Sequence, residues 1–134
     1  MKRILLLLIL LLLAACQSNN EATLLPITIE EAYPGNMMDV TMIELIDGSS
    51  GERVKLTRKS EIDSLLHDIK DLVLEPDPNQ EGRVGYLYRL VLYEEERLTL
   101  DFLPTAMNET YYLLNEQLHG ILQQLYTEKF NKKE

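Results

Sequence analysis

The stretch VGYLYRLVLYEEERLTLDFL, residues 84–103, decides the fold. In its first half Val84, Tyr86, Tyr88, Leu90 and Leu92 alternate with Gly85, Leu87, Arg89, Val91 and Tyr93. Both sets are largely apolar, the pattern of a central strand covered on both sides. Glu94, Glu95 and Glu96 form a turn, and the chain returns over 97–103. There Leu98, Leu100 and Phe102 alternate with Arg97, Thr99 and Asp101, as in a half-exposed antiparallel strand. Pro104 ends it.

Upstream, residues 40–46 and 52–56 carry the β-branched and apolar content of two strands. Asp47-Gly48-Ser49-Ser50-Gly51 makes the turn between them. A helix follows. Thr57 or Ser60 is its expected cap, and Ile62, Leu65, Leu66, Ile69 and Val73 recur at helical spacing. Glu75-Pro76-Asp77-Pro78 must stop it, because proline disfavours helix in the residue before it. Downstream, Asn108-Glu109 is a turn and residues 110–113 a short strand. Asn115 caps a last helix with Leu118, Ile121, Leu122, Leu125 and Tyr126 on its buried stripe. Gly120 within that helix costs about 1 kcal/mol against alanine, so a close approach to the sheet is expected there. The predicted fold is an α+β two-layer sandwich in the order β-β-α-β-β-β-α. It has an antiparallel sheet of four to five strands and two helices on one face.

The N-terminus is read separately. Lys2 and Arg3 precede an apolar run from Ile4, closed by Leu13-Ala14-Ala15-Cys16. A cationic start, a short apolar stretch and small residues make an export signal. The run is too short to span a bilayer, which takes about 20 residues. The only cysteine of the chain sits where a lipoprotein is acylated. Cleavage is expected between Ala15 and Cys16, with Cys16 lipidated and anchoring the protein to the membrane through its acyl chains. A lone cysteine makes no internal disulfide, so the core alone must hold the fold. Residues 17–36 read as a polar, proline-punctuated tether. The expected organisation is therefore a signal over 1–15, a lipidated N-terminus and tether over 16–36, and a single domain over 37–134. Within the tether, residues 24–29 are apolar enough to dock as an edge strand.

The pattern as a whole resembles small lipid-anchored lipoproteins of Gram-positive, Bacillus-like bacteria. It rests on the lipobox, Val54-Lys55-Leu56-Thr57, Glu61-Ile62, Gly85-Tyr86-Leu87-Tyr88 and Tyr111-Tyr112. That family has no assigned reaction, so the resemblance carries over no site residue except Cys16. It implies the outer face of the cytoplasmic membrane. In a Gram-negative host, Gln17 after the cysteine implies the outer membrane.

Composition narrows the function. The net charge of the chain is −9, and it becomes more negative once Lys2 and Arg3 leave with the signal. Nucleic-acid binding calls for a basic patch and is not expected. Asp77-Pro78-Asn79-Gln80-Glu81-Gly82 imitates the start of a calcium loop, but the twelfth position is Tyr88 rather than a bidentate glutamate. Glu94-Glu95-Glu96 reads as a solvated hairpin tip. His67 and His119 lack the paired spacing of a zinc site. No metal, cofactor or catalytic residue is implied. Tyrosine is the enriched class and suits binding surfaces. Arg89, Tyr93, Arg97, Thr99 and Asp101 line the expected open sheet face. These features describe a non-enzymatic, membrane-anchored interaction module for a protein or cell-envelope partner. The alternatives are an envelope hydrolase using carboxylates, a small-solute binding protein, and an inhibitor presenting residues 75–83.

Overall fold

The computed structural model describes residues 23–131, so the signal, Cys16 and its cleavage point lie outside the described residues. The fold is α+β. Four antiparallel strands form the main sheet: β2 (Met42–Asp47), β3 (Arg53–Leu56), β5 (Tyr88–Glu94) and β6 (Arg97–Phe102). Their spatial order is β3-β2-β5-β6, so β5 is central, as its two apolar faces require. The register brings Ile43, Leu45, Leu56, Leu90, Leu92, Leu100 and Phe102 onto one face. All seven are buried. They share one core with the apolar stripes of two helices, α2 (Lys59–Ile69) and α3 (Glu116–Phe130). One layer is the sheet, and the other is the pair of helices.

Short elements complete the chain. β1 (Ile27–Thr28) pairs antiparallel with β4 (Val73–Leu74), and β7 (Ala106–Met107) with β8 (Thr110–Tyr111). The turn between β7 and β8 is Asn108-Glu109, both at positive φ (49° and 64°), the twist that two-residue hairpins favour. The expected last strand thus exists over Thr110–Tyr111, but pairs in its own ribbon rather than in the main sheet. A single-turn helix, α1 (Ile29–Ala32), is closed by a capping box between Thr28 and Glu31.

Several boundaries differ from the sequence reading. The packed part begins about ten residues before Met37. Ile29 and Tyr33 are buried in the core, and Ile27–Thr28 join the fold by backbone pairing with Leu74 and Val73. Apolar side chains spaced through a proline-rich stretch found a core to enter. The same pairing ends α2 at Ile69 instead of Val73, because Val73 is drawn out as a strand. Helix α2 takes Arg58 as its N-cap residue, without a side-chain hydrogen bond, in place of Thr57 or Ser60. Helix α3 starts as expected: Asn115 Oδ1 accepts from the Leu118 N–H at 2.9 Å. Gly120 does not approach the sheet, since nothing lies within 4 Å of where a Cβ would stand. The central strand starts at Tyr88, not Val84. Strand β2 ends at Asp47, opposite Tyr88, so residues 84–87 have no partner strand there.

A β-bulge alters β6. The register shifts between Leu92 and Tyr93, so Leu98 faces Tyr93 and is half exposed rather than buried with Leu100. Thr99 is the extra residue. Its hydroxyl donates to the Leu92 carbonyl at 3.0 Å, satisfying a group that the shift would leave open.

Candidate functional site

The outer face of the sheet carries the residues marked by the sequence. Asp101 faces Val91 across the β5–β6 pairing, and Arg89 lies two residues along β5 on the same face. The Arg89 guanidinium donates twice to the Asp101 carboxylate, from Nε at 2.8 Å and from Nη2 at 2.5 Å. A fork of this kind fixes both side chains. The Arg89 pKa is raised, first by Asp101 and then by Tyr86. The guanidinium also lies 5.9 Å from the Tyr86 ring centroid. Next to them Glu44 is buried on the same face and pairs with Arg53 at 3.2 Å. Tyr93 is half-buried beside the exposed Leu98.

Arg97 and Thr99 belong to a different constellation, at the hairpin end. Its centre is Glu94. The Tyr33 hydroxyl donates to Glu94 Oε1 at 2.7 Å, and Arg97 donates to Oε2 at 2.6 Å. The Tyr33 and Thr99 hydroxyls are 2.9 Å apart. Tyr33 and then Arg97 hold the Glu94 carboxyl below its ordinary value. Burial raises the Tyr33 phenol. An open depression of about 740 Å³ lies alongside, lined by Met38, Asp39, Thr41, Arg97 and the three hairpin glutamates. Four of the five sequence-marked residues therefore fall into two clusters on β5 and β6, Arg89 with Asp101 and Arg97 with Thr99 around Glu94, while Tyr93 packs beside Leu98.

A third arrangement occupies residues 77–87. The Gln80 side chain imitates a strand: its Nδ-equivalent amide, Nε2, donates to the Tyr111 carbonyl at 2.8 Å, while Oε1 accepts the Tyr111 N–H at 2.9 Å. Arg83 donates to Asp77 Oδ2 and to the Asn79 carbonyl, each at 2.7 Å, and its own N–H donates to the Tyr111 hydroxyl at 3.0 Å. The Arg83 guanidinium stands 4.8 Å from the Tyr111 ring centroid. The Asn79 N–H and then the Arg83 guanidinium hold the Asp77 carboxyl below its usual range. Of the side-chain oxygens that resembled a calcium loop, those of Asp77 and Asn79 are engaged within the loop, by the Asn79 and Glu81 N–H groups and by Arg83. Beyond it the chain crests at Val84, which is fully exposed, and turns at Gly85 with φ +86°. Tyr86 then returns over Gly48, whose N–H donates to the Leu87 carbonyl at 2.9 Å.

The histidines stand apart. His67 is exposed on α2, whereas His119 lies against Tyr88, with ring centroids 5.7 Å apart. Tyr88 also meets Tyr126 at 4.6 Å, filling the space between sheet and α3. Among the described residues, no group of three or more His, Cys, Asp or Glu is arranged to hold a metal ion.

Sequence reasoning did not find Tyr33, Gln80 or Tyr111 as organising residues. Tyr33 was hidden by the neighbouring Pro34-Gly35, which read as tether. Gln80 and Tyr111 are 31 positions apart, and nothing local announces their pairing. Comparison with known proteins finds no matching family model, no matching curated protein and no matching solved structure.

Proposed function

We propose that this chain is an extracytoplasmic lipoprotein, held by an acylated Cys16, that works as a non-enzymatic interaction module. Its location is the outer face of the cytoplasmic membrane, as in the Gram-positive lipoproteins it resembles. Its partner is a protein or a cell-envelope component.

The observation that carries this reading is the crest at Val84. A wholly exposed apolar side chain is unfavourable in water, yet Arg83, Gln80 and Tyr111 commit a set of side-chain hydrogen bonds to the loop that presents it. Pre-ordering of this kind lowers the entropy lost on binding. Tyr86 joins the crest to Arg89 and so to the outer sheet face. Among the described residues, the carboxyls whose pKa shifts, Asp47, Glu61, Asp77 and Glu94, all move downward. They are charged contacts at neutral pH rather than the raised carboxylic acids a general-acid hydrolase employs.

The test is photocrosslinking in living cells from Val84 and from Tyr93, with Ser64 as the control position. A discrete adduct from the first two and not from Ser64 is expected. Turnover of cell-wall polymer by the purified full chain would refute a non-enzymatic role. The anchor is tested by radioactive fatty-acid incorporation, which Cys16→Ser must abolish.

A further inference from the structure

We propose that the edge formed by residues 24–28, 73–75 and 113–114 lies directly on the lipid surface, so that the domain rests on the membrane instead of standing off it. The proposal rests on the lipid-anchor reading above and adds an orientation to it.

Five of the nine exposed large apolar side chains among the described residues belong to this edge. They are Leu24, Leu25, Val73, Leu113 and Leu114, between 42% and 71% exposed. Backbone bonds place their three segments side by side. Thr28 pairs with Val73, the Leu113 N–H donates to the Glu75 carbonyl at 2.8 Å, and Pro76 bridges Tyr112. Asn115 Nδ2 adds a bond to the Val73 carbonyl at 2.9 Å. Strand alternation then fixes the faces. Leu74 and Tyr112 point into the core, so Val73 and Leu113 point out on the other side. Leu24 and Leu25 lead directly into β1 and are both exposed.

The occupant follows from where the chain leads. Leu24 is eight residues from Cys16. Fully extended, eight residues reach no more than about 28 Å. An acylated Cys16 therefore holds this apolar edge within about 28 Å of its own anchor. Aliphatic side chains at a membrane interface bury their surface among the acyl boundary atoms. Glu75 stands among them and, being exposed, meets the headgroup layer rather than the acyl chains. A short connection to the anchor supplies a high effective concentration, so a patch too small to bind lipid alone can remain docked.

The experiment uses the full lipidated chain in phosphatidylcholine vesicles. Acylation occupies Cys16, so a single added cysteine takes the dye. Leu113→Cys and Ser50→Cys are each labelled with a polarity-sensitive fluorophore and challenged with nitroxide-bearing lipid. Leu113 precedes the start of α3, whereas the turn holding Ser50 adjoins the far end of that helix, about 22 Å away. Docking predicts a blue shift and several-fold stronger quenching at position 113 than at position 50. Equal quenching at the two positions, with the protein still floating with the vesicles, overturns docking and leaves the anchor reading intact. A blue shift at position 113 that follows protein concentration rather than lipid overturns it in favour of a second copy of the chain. Failure to float, with a free thiol at Cys16, overturns the anchor reading and this proposal with it.

Discussion

The backbones of Gly48 and Tyr86 touch: a Cβ on Gly48 would overlap the Tyr86 carbonyl group. The contact seats the returning limb of the Val84 crest on the first hairpin. Gly48→Ala must push the two backbones apart, and overpacking of this kind costs about 1–3 kcal/mol. Urea unfolding should show the loss. Hydrogen exchange should show faster opening at Gly48 itself, whose N–H bonds to Leu87.

Gly120 predicts the opposite sign. It sits inside α3 with open space where a Cβ would be. Gly120→Ala should stabilise the domain by up to about 1 kcal/mol, through helix propensity and a less flexible unfolded chain. An unchanged or lower midpoint in urea would mean that this face of α3 is not free.

Tyr126 spans the two layers through its hydroxyl. The group donates within reach of the Arg89 carbonyl (2.7 Å) and the Ile46 carbonyl (3.2 Å), and accepts the Arg89 N–H at 3.2 Å. Tyr126→Phe should cost about 1–3 kcal/mol, the usual penalty for stranding buried polar groups. Burial raises the phenol pKa above its ordinary 10.0. The folded state therefore holds the proton more tightly than the unfolded state. This contribution is complete below pH 10 and falls away as pH climbs beyond it. Thermal midpoints measured on the alkaline side should drop less in Tyr126→Phe than in the parent.

Acid acts through other groups. Asp47, Asp77, Glu61 and Glu94 are all held below their ordinary values of 3.8 and 4.5. Each contribution is present above the unfolded value and is lost as pH falls through the lower folded value. Stability should be flat near neutrality and decline below about pH 4.5. Glu61 is held by Lys129, which ties α2 to α3. Lys129→Met should reduce the acid dependence.

Tyr33 and Glu94 offer a residue-level check. In Tyr33→Phe the Glu94 carboxyl loses its leading stabilising partner, so its pKa should rise toward 4.5. Arg97→Ala, which removes both a hydrogen bond and a favourable charge, should raise it as well. A carbon-detected titration of Glu94 measures both shifts, and an unchanged Glu94 in either variant would contradict the geometry.

The sequence by itself determined the class of the fold and the central place of β5. Side-chain alternation and helical spacing are local and depend on nothing distant. The β2–β3 and β5–β6 hairpins and the Asn115 cap were legible for the same reason. Tertiary structure alone decided where those patterns were overruled. Val73 left its helix because Thr28 offered a strand partner. Leu98 turned outward because a bulge at Thr99 changed the alternation, with Tyr33 and Leu92 meeting the displaced hydroxyl. Residues 84–87 lost their strand because β2 ended before reaching them. The sheet-face residues were correctly placed on β5 and β6, but their pairing was not visible, since hydrogen bonds between remote residues leave no periodic trace. Periodicity encodes which side of an element is apolar. Only the assembled chain determines which partner is within reach of each edge and each charge.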